Sequence, residues 1–156
     1  MIEDLSKGKF VCLLDTGPII AHLRNITGMM ELFNSLVDEG QMAVAAVSVT
    51  EIWQGAKERE IEPTRQFFTG VKVIPLDEQL ATRAGLLARG LRAQGFTASL
   101  ADAVIAVTAL QLQVPLLTTN PKHFTIITGL EVWDLQDKLA ELERGIGDKT
   151  SSRSGS

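Results

Sequence analysis

Four side chains in this sequence could do chemistry together: Asp15, Glu51, Asp102 and Asn120. Each adjoins an apolar stretch. FVCLL ends on Asp15, MAVAAV runs up to the segment holding Glu51, a dense apolar run follows Asp102, and PLLTT leads to Asn120. Three carboxylates and one amide offer hard oxygen donors. If brought to one place the carboxylates repel, by about 4 kcal/mol for two unit charges about 4 Å apart at an effective dielectric near 20. Helix N-termini offset only about 0.3–1 kcal/mol each. Either protons or a divalent cation must settle the difference. Carboxylate oxygens with water suit Mg²⁺ or Mn²⁺, which keep part of their water and complete their shell with phosphate. Such an ion lowers the pKa of bound water and stabilises charge on a phosphate in transfer, so hydrolysis of a phosphodiester is the chemistry that fits. No histidine or lysine is needed as a base.

Each of the four also has a plain structural explanation. Ser48-Val49-Thr50-Glu51 and Ser99-Leu100-Ala101-Asp102 both match the capping box, in which an acid at the third helical position bonds back to the cap. Asp15 reads as a helix N-cap with Pro18 near the first turn, and Thr16-Gly17-Pro18 as the turn after the strand. Asn120 before Pro121 reads as an N-cap followed by a first-position proline. Capping contributes about 1 kcal/mol per site.

What decides between the two explanations is the arrangement of the elements. Strand-like runs alternate with helix-like ones, the pattern of an α/β domain. Strands are expected over residues 10–14, 42–47, 71–74 and 115–118, with an edge strand over 131–134. Helices are expected over 19–24, 29–38, 49–59, 63–68, 77–93, 100–112 and 137–144, with one helical turn over 121–124. In 77–93, Leu80, Ala84, Leu87 and Leu91 share a face. Short strands joined by helices favour a parallel sheet with right-handed crossovers. Its strands then finish at one edge, where open α/β sheets bind ligands. Asp15, Glu51 and Asn120 each follow a strand, and Asp102 starts a helix whose N-terminus lies at that same edge. The expectation is that four helix starts aim polar side chains into one crevice.

Bulk properties limit the alternatives. The chain has 156 residues, 45% of them hydrophobic and 22% charged, as expected for a single globular domain. Its formal charge of −4 argues against a surface that attracts nucleic acid throughout, though not against a local basic rim. Arg83, Arg89 and Arg92 read as a solvated helix face. Cys12, the only cysteine, lies inside the first apolar run, which excludes a disulfide framework and fits a reducing compartment. No apolar run reaches the roughly 18 residues of a membrane span, and MIEDLSKGK lacks the pattern of a secretory signal, so a cytoplasmic location is expected. A domain over 1–144 followed by a disordered polar tail over 145–156 completes the expected organisation. His22 is expected at the surface or an interface, and Trp53 in the core or on a partner-binding surface.

FVCLLDTGPIIAHL, VSVTEIWQGAKE and SLADAVIAVTALQLQVPLLTTNPKHFTIITGLEV together resemble the PIN domain, in particular the VapC-type toxin ribonucleases. The similarity extends from about Phe10 to Trp133. It implies a three-layer α/β/α domain with a central, mainly parallel sheet of four to five strands. It also implies an endoribonuclease dependent on Mg²⁺ or Mn²⁺, acting on tRNA or other structured RNA and belonging to a type II toxin–antitoxin pair. The family's acidic quartet carries over to Asp15, Glu51, Asp102 and, in the fourth place, Asn120. Asp15, Asp102 and Glu51 are then the metal ligands. Asn120, where relatives often have Asp, removes one charge but still offers a carbonyl oxygen. Thr16 fits the small hydroxyl residue that often follows the first acid, and Thr119 stands where many relatives carry Arg. With Lys122 these are the candidate substrate-binding residues. The resemblance further implies a homodimer and an antitoxin whose Arg or Lys enters the acidic site.

Two rival functions follow from the same residues. One is a catalytically inactive PIN scaffold that binds RNA or a protein partner in the crevice. The other is a haloacid-dehalogenase-like phosphatase, which needs a second Asp two residues after the nucleophile; Gly17 occupies that place.

Overall fold

Along FVCLL, alternate side chains leave opposite faces of the strand, and both faces are buried: Leu13 joins one apolar cluster, Cys12 and Leu14 the other. A strand covered on both sides belongs in the middle of a parallel sheet. In the computed structural model, which describes residues 10–151, this strand, β1 (Phe10–Leu14), is the central one of five. The others are β2 (Gln41–Ala45), β3 (Lys72–Ile74), β4 (Leu116–Thr118) and β5 (Val132–Asp134). Their order is β3-β2-β1-β4-β5, and every neighbouring pair is parallel.

Helices cover both faces, giving three layers. One face is packed by α5 (Glu78–Ala93) and α6 (Leu100–Leu112), with Ile105, Ala106 and Ala109 set against Leu13, Ala43 and Leu116. Residues 103–109 of α6 are all buried, because α5 closes over its other side through Leu80 and Ala84. A helix enclosed in this way is apolar all round. The opposite face takes α1 (Thr16–Leu23), α2 (Met29–Glu39), α3 (Ala46–Gly55), α4 (Ile61–Thr69) and α7 (Leu135–Ser151). Fully burying a side chain such as Leu14 or Leu117 contributes about 1.5–3 kcal/mol, so the clusters on the two faces anchor the strand ends that carry the polar residues.

Three boundaries differ from expectation. The apolar run MAVAAV divides: the strand stops at Ala45 and α3 begins at Ala46. An unbroken apolar run cannot by its periodicity separate a buried strand from the buried first turn of a helix. Ser48 is therefore not a cap but lies inside α3, 0% exposed, with its hydroxyl unpartnered. The same helix ends at Gly55 rather than 59, because Ala56 turns to extended backbone before a short 3-10 turn over Glu58–Glu60. Thr16-Gly17-Pro18 is the first turn of α1, not a separate turn, with Asp15 as its N-cap.

The last helix is also longer than the expected 137–144. Asp134 accepts a hydrogen bond from the Gln136 N–H at its start (3.1 Å), and Leu135, Leu139 and Leu142 pack on the core. Gly145 and Gly147 weaken the helix without ending it, since glycine stops a helix mainly where it turns left-handed. Residues 145–151 of the expected tail are thus helical, while residues 152–156 lie outside those described. No helix among the described residues is long and apolar enough to cross a membrane.

Candidate active site

β1 and β4 are neighbours in register, with Leu14 beside Leu117. The next residue on each is polar, so Asp15 and Thr118 meet where the two strands end. Thr118 is 0% exposed and donates its hydroxyl proton to Asp15 Oδ2 at 2.7 Å. The Thr16 N–H donates to Asp15 Oδ1 at 2.8 Å. The carboxylate is held on both oxygens at the N-terminus of α1. It remains only 8% exposed.

Burial pushes the Asp15 carboxyl above its ordinary pKa, and the charges of Asp102 and Glu51 push it further the same way. The hydrogen bonds from Thr118 and Thr16 act in the opposite direction. Two carboxylates remote in sequence are therefore close enough to load a third. No Lys or Arg pairs with any of the three among the described residues.

Glu51 reaches the site by a different route from the one expected. It projects from the second turn of α3, not from a capping box, and its Oε1 accepts the Thr16 hydroxyl proton at 3.0 Å. Asp102 arrives as expected: Ser99 caps α6, its Oγ accepting the Asp102 N–H at 3.0 Å. Its Oδ2 lies 3.2 Å from His123 Nδ1. Asn120 follows β4, is exposed, and donates its N–H to the Thr118 hydroxyl at 2.9 Å. It starts the 3-10 turn Pro121–His123 without a side-chain cap bond. Three of the four expected helix starts thus lie at this edge; Glu51 comes from within a helix.

Thr16 bonds to Glu51, and Lys122 is exposed on the 3-10 turn beside Asp102. The Thr119 side chain lies against Gly17, where an added Cβ would collide with the Thr119 Oγ1 and stand 3.0 Å from Cγ2. The loop after β4 and the first turn of α1 therefore touch through a residue with no side chain.

The donor set is three carboxylates, hydroxyls and an amide, all hard oxygen ligands without thiol or imidazole in the first positions. That chemistry matches Mg²⁺ or Mn²⁺ better than zinc. An acid kept buried under two like charges, with no Lys or Arg paired to any of the three among the described residues, fits a divalent cation. No three His, Cys, Asp or Glu side chains converge into a ready-made cage among the described residues. Glu51 is turned to Thr16 and Asp102 to His123.

Thr118 and Gly17 join this site without standing out in the sequence as parts of it. A hydroxyl directly after two buried leucines, opposite an aspartate in the same position on another strand, is the signal that points to Thr118. His123 is exposed on the 3-10 turn and faces Asp102. Outside the site, Cys12 is fully buried with its thiol pushed up to about 12, mainly by desolvation, which makes it an inert core residue. His22 is half-buried: its ring packs against Phe33 at 4.7 Å and Phe67 at 5.7 Å, and burial lowers its pKa. Trp53 is exposed near Phe68.

The sequence pattern of the PIN domain matches residues 12–130 of this chain. Ribonuclease VapC19 of Mycobacterium tuberculosis is 32% identical over 120 residues, 76% of this chain and 96% of that protein. The tRNA(fMet)-specific endonuclease VapC of Shigella flexneri is 27% identical over 128 residues, 78% and 96% of the two chains. The fold superposes on VapBC2 from Rickettsia felis, crystallised with a DNA fragment from its promoter, with a TM-score of 0.73 at 18% identity over 80% of this chain and 98% of that one. VapBC-1 from nontypeable Haemophilus influenzae gives 0.68 at 26% identity over 80% and 98%.

Proposed function

Because the chain belongs to the PIN domain family, we propose that it is a VapC-type endoribonuclease that depends on Mg²⁺ or Mn²⁺ and is the toxin of a type II toxin–antitoxin pair. One observation carries the reading: Asp15 is buried at the end of β1, held on both oxygens, and loaded by the charges of Asp102 and Glu51 with no basic partner. The relatives named ribonucleases support it at the level of activity.

Asp15, Asp102 and Glu51 would hold the cation directly or through water. When bound, such an ion supplies a water of lowered pKa and stabilises charge developing on the phosphate. Thr118 and the Thr16 N–H fix the Asp15 carboxylate before substrate arrives, which is the preorganisation a catalytic constellation needs. Asn120 offers a carbonyl oxygen to orient a water. Thr16, Thr119 and Lys122 line the approach, with Lys122 as the cation for an RNA phosphate. The RNA is hydrolysed by water to leave a 5′-phosphate.

The antitoxin is the natural partner, since the similar structures from Rickettsia felis and Salmonella typhimurium are VapBC assemblies. An Arg or Lys from it would offset the three carboxylates much as a metal does. A tRNA substrate is supported by the tRNA(fMet) specificity of the Shigella relative. A homodimer and a cytoplasmic location complete the reading.

The test is cleavage of total tRNA by the purified chain with Mg²⁺, with Mn²⁺ and with EDTA. Cleavage confined to the metal-containing reactions and lost in folded Asp15→Asn and Asp102→Asn proteins is expected. A second reading, an inactive scaffold that only binds RNA or a protein, is favoured by the lack of a converged ligand cage among the described residues. Tight RNA binding with no cleavage under any metal would select it.

A further inference from the structure

Next to Asp102, and away from Asp15, lies a cavity of about 360 Å³ between the loop after α5 and the 3-10 turn Pro121–His123. Leu91 and Ile126 line it as apolar residues, Phe96 contributes an aromatic ring, and Asp102, Lys122 and His123 bring polar groups. Gly95, at φ 89°, lets the chain reverse after α5, and the Phe96 N–H then donates to the Leu91 carbonyl at 2.9 Å. That bond fixes the start of the loop while leaving Phe96 50% exposed. No other aromatic ring pairs with Phe96 among the described residues. An apolar lining, a free π face and a lysine therefore share one wall with a carboxylate of the candidate active site.

We infer that this cavity takes one unstacked nucleobase of the RNA, from a nucleotide flanking the bond to be cleaved, with the base stacked on Phe96 and its phosphate facing Lys122. The inference rests on the ribonuclease reading above and assigns a subsite to it. A phosphate alone would not need Leu91, Ile126 and a ring, and Asp102 would repel it. A base with its phosphate uses both kinds of lining. Stacking on aromatic side chains is tolerant of sequence and requires a single-stranded segment. The enzyme is then expected to cut loops and unpaired stretches rather than continuous duplex.

The probe is a fluorescein-labelled, mixed-sequence, single-stranded RNA decamer. Its Kd is measured with Mg²⁺ in the Asp15→Asn background, which stops turnover, for Phe96, Phe96→Ala, Phe96→Leu and Phe96→Trp. KM for the same decamer is measured in proteins that keep Asp15. Phe96→Ala and Phe96→Leu are expected to raise both values about tenfold, the loss of one base–aromatic stack. Phe96→Trp should hold them within about twofold, and Leu86→Ala, on an exposed part of α5, should change nothing. The half-exposed ring leaves no core cavity when removed, and circular dichroism checks the fold of each variant. Equal Kd and KM in Phe96 and Phe96→Ala proteins would overturn the inference. A chain that binds the decamer through Phe96 without cleaving it would sink the ribonuclease reading and leave the subsite standing. Cleavage with a KM indifferent to Phe96→Ala would do the reverse.

Discussion

Thr118 and Asp15, 103 residues apart in the chain, share a buried hydrogen bond of 2.7 Å at the ends of adjacent parallel strands. The same hydroxyl accepts the Asn120 N–H, so one threonine ties Asp15, a candidate ligand, to the loop that carries Asn120.

Thr118→Val keeps the shape of the side chain and removes both bonds. It leaves a buried carboxylate with one donor fewer and the Asn120 N–H without its acceptor. A loss of about 1–3 kcal/mol of stability is expected for an unsatisfied buried group, read by urea denaturation. RNA cleavage should fall by about tenfold or more, while Thr118→Ser should restore both. Wild-type stability in Thr118→Val would show that the bond carries no weight.

Gly17 and Thr119 form a steric pair. Gly17→Ala places a methyl group where the Thr119 hydroxyl lies, and the Thr119 side chain or its loop must shift. A destabilisation of about 1–3 kcal/mol is expected, as for other overpacked sites. Combining it with Thr119→Ala should recover most of that loss, a coupling that a double-mutant cycle reads directly. Purely additive single-mutant effects would contradict the contact.

How much of this could be read from the chain alone depends on whether the signal was local. FVCLL followed by Asp is local, and so is Ser99 capping the helix of Asp102; both stand where the sequence placed them. The parallel order of the strands also followed from their alternation with helices. MAVAAV is ambiguous because strand and buried helix share an apolar pattern, so its residues alone make Ser48 a cap and Glu51 its partner, where the structure puts both inside α3. Thr118 and Gly17 could not be assigned to a site at all, since their importance lies in a partner across the sheet edge. The long last helix was hidden by Gly145 and Gly147, whose local preference is overridden by the packing of Leu139 and Leu142.

Asp15 also gives a pH signature. Its pKa in the folded protein is raised above the ordinary 3.8, so protonation favours the fold. Its contribution to stability is complete below 3.8 and is lost as pH rises through the raised folded value. In EDTA, wild-type protein should therefore lose stability relative to Asp15→Asn across that window, leaving the variant the more stable at neutral pH. Urea denaturation at a series of pH values reads the difference, and saturating Mg²⁺ should reverse the order by stabilising only the wild type. A pH-independent difference in EDTA would contradict the raised pKa.

The most direct measurement is calorimetric titration of Mn²⁺ into the wild-type chain and into Asp15→Asn and Asp102→Asn proteins shown to be folded. Saturable binding by the wild type, displaced by Mg²⁺ and lost in both variants, is the expected result. The same Mn²⁺ affinity in all three proteins would contradict a cation held by carboxylates at the ends of β1 and the start of α6.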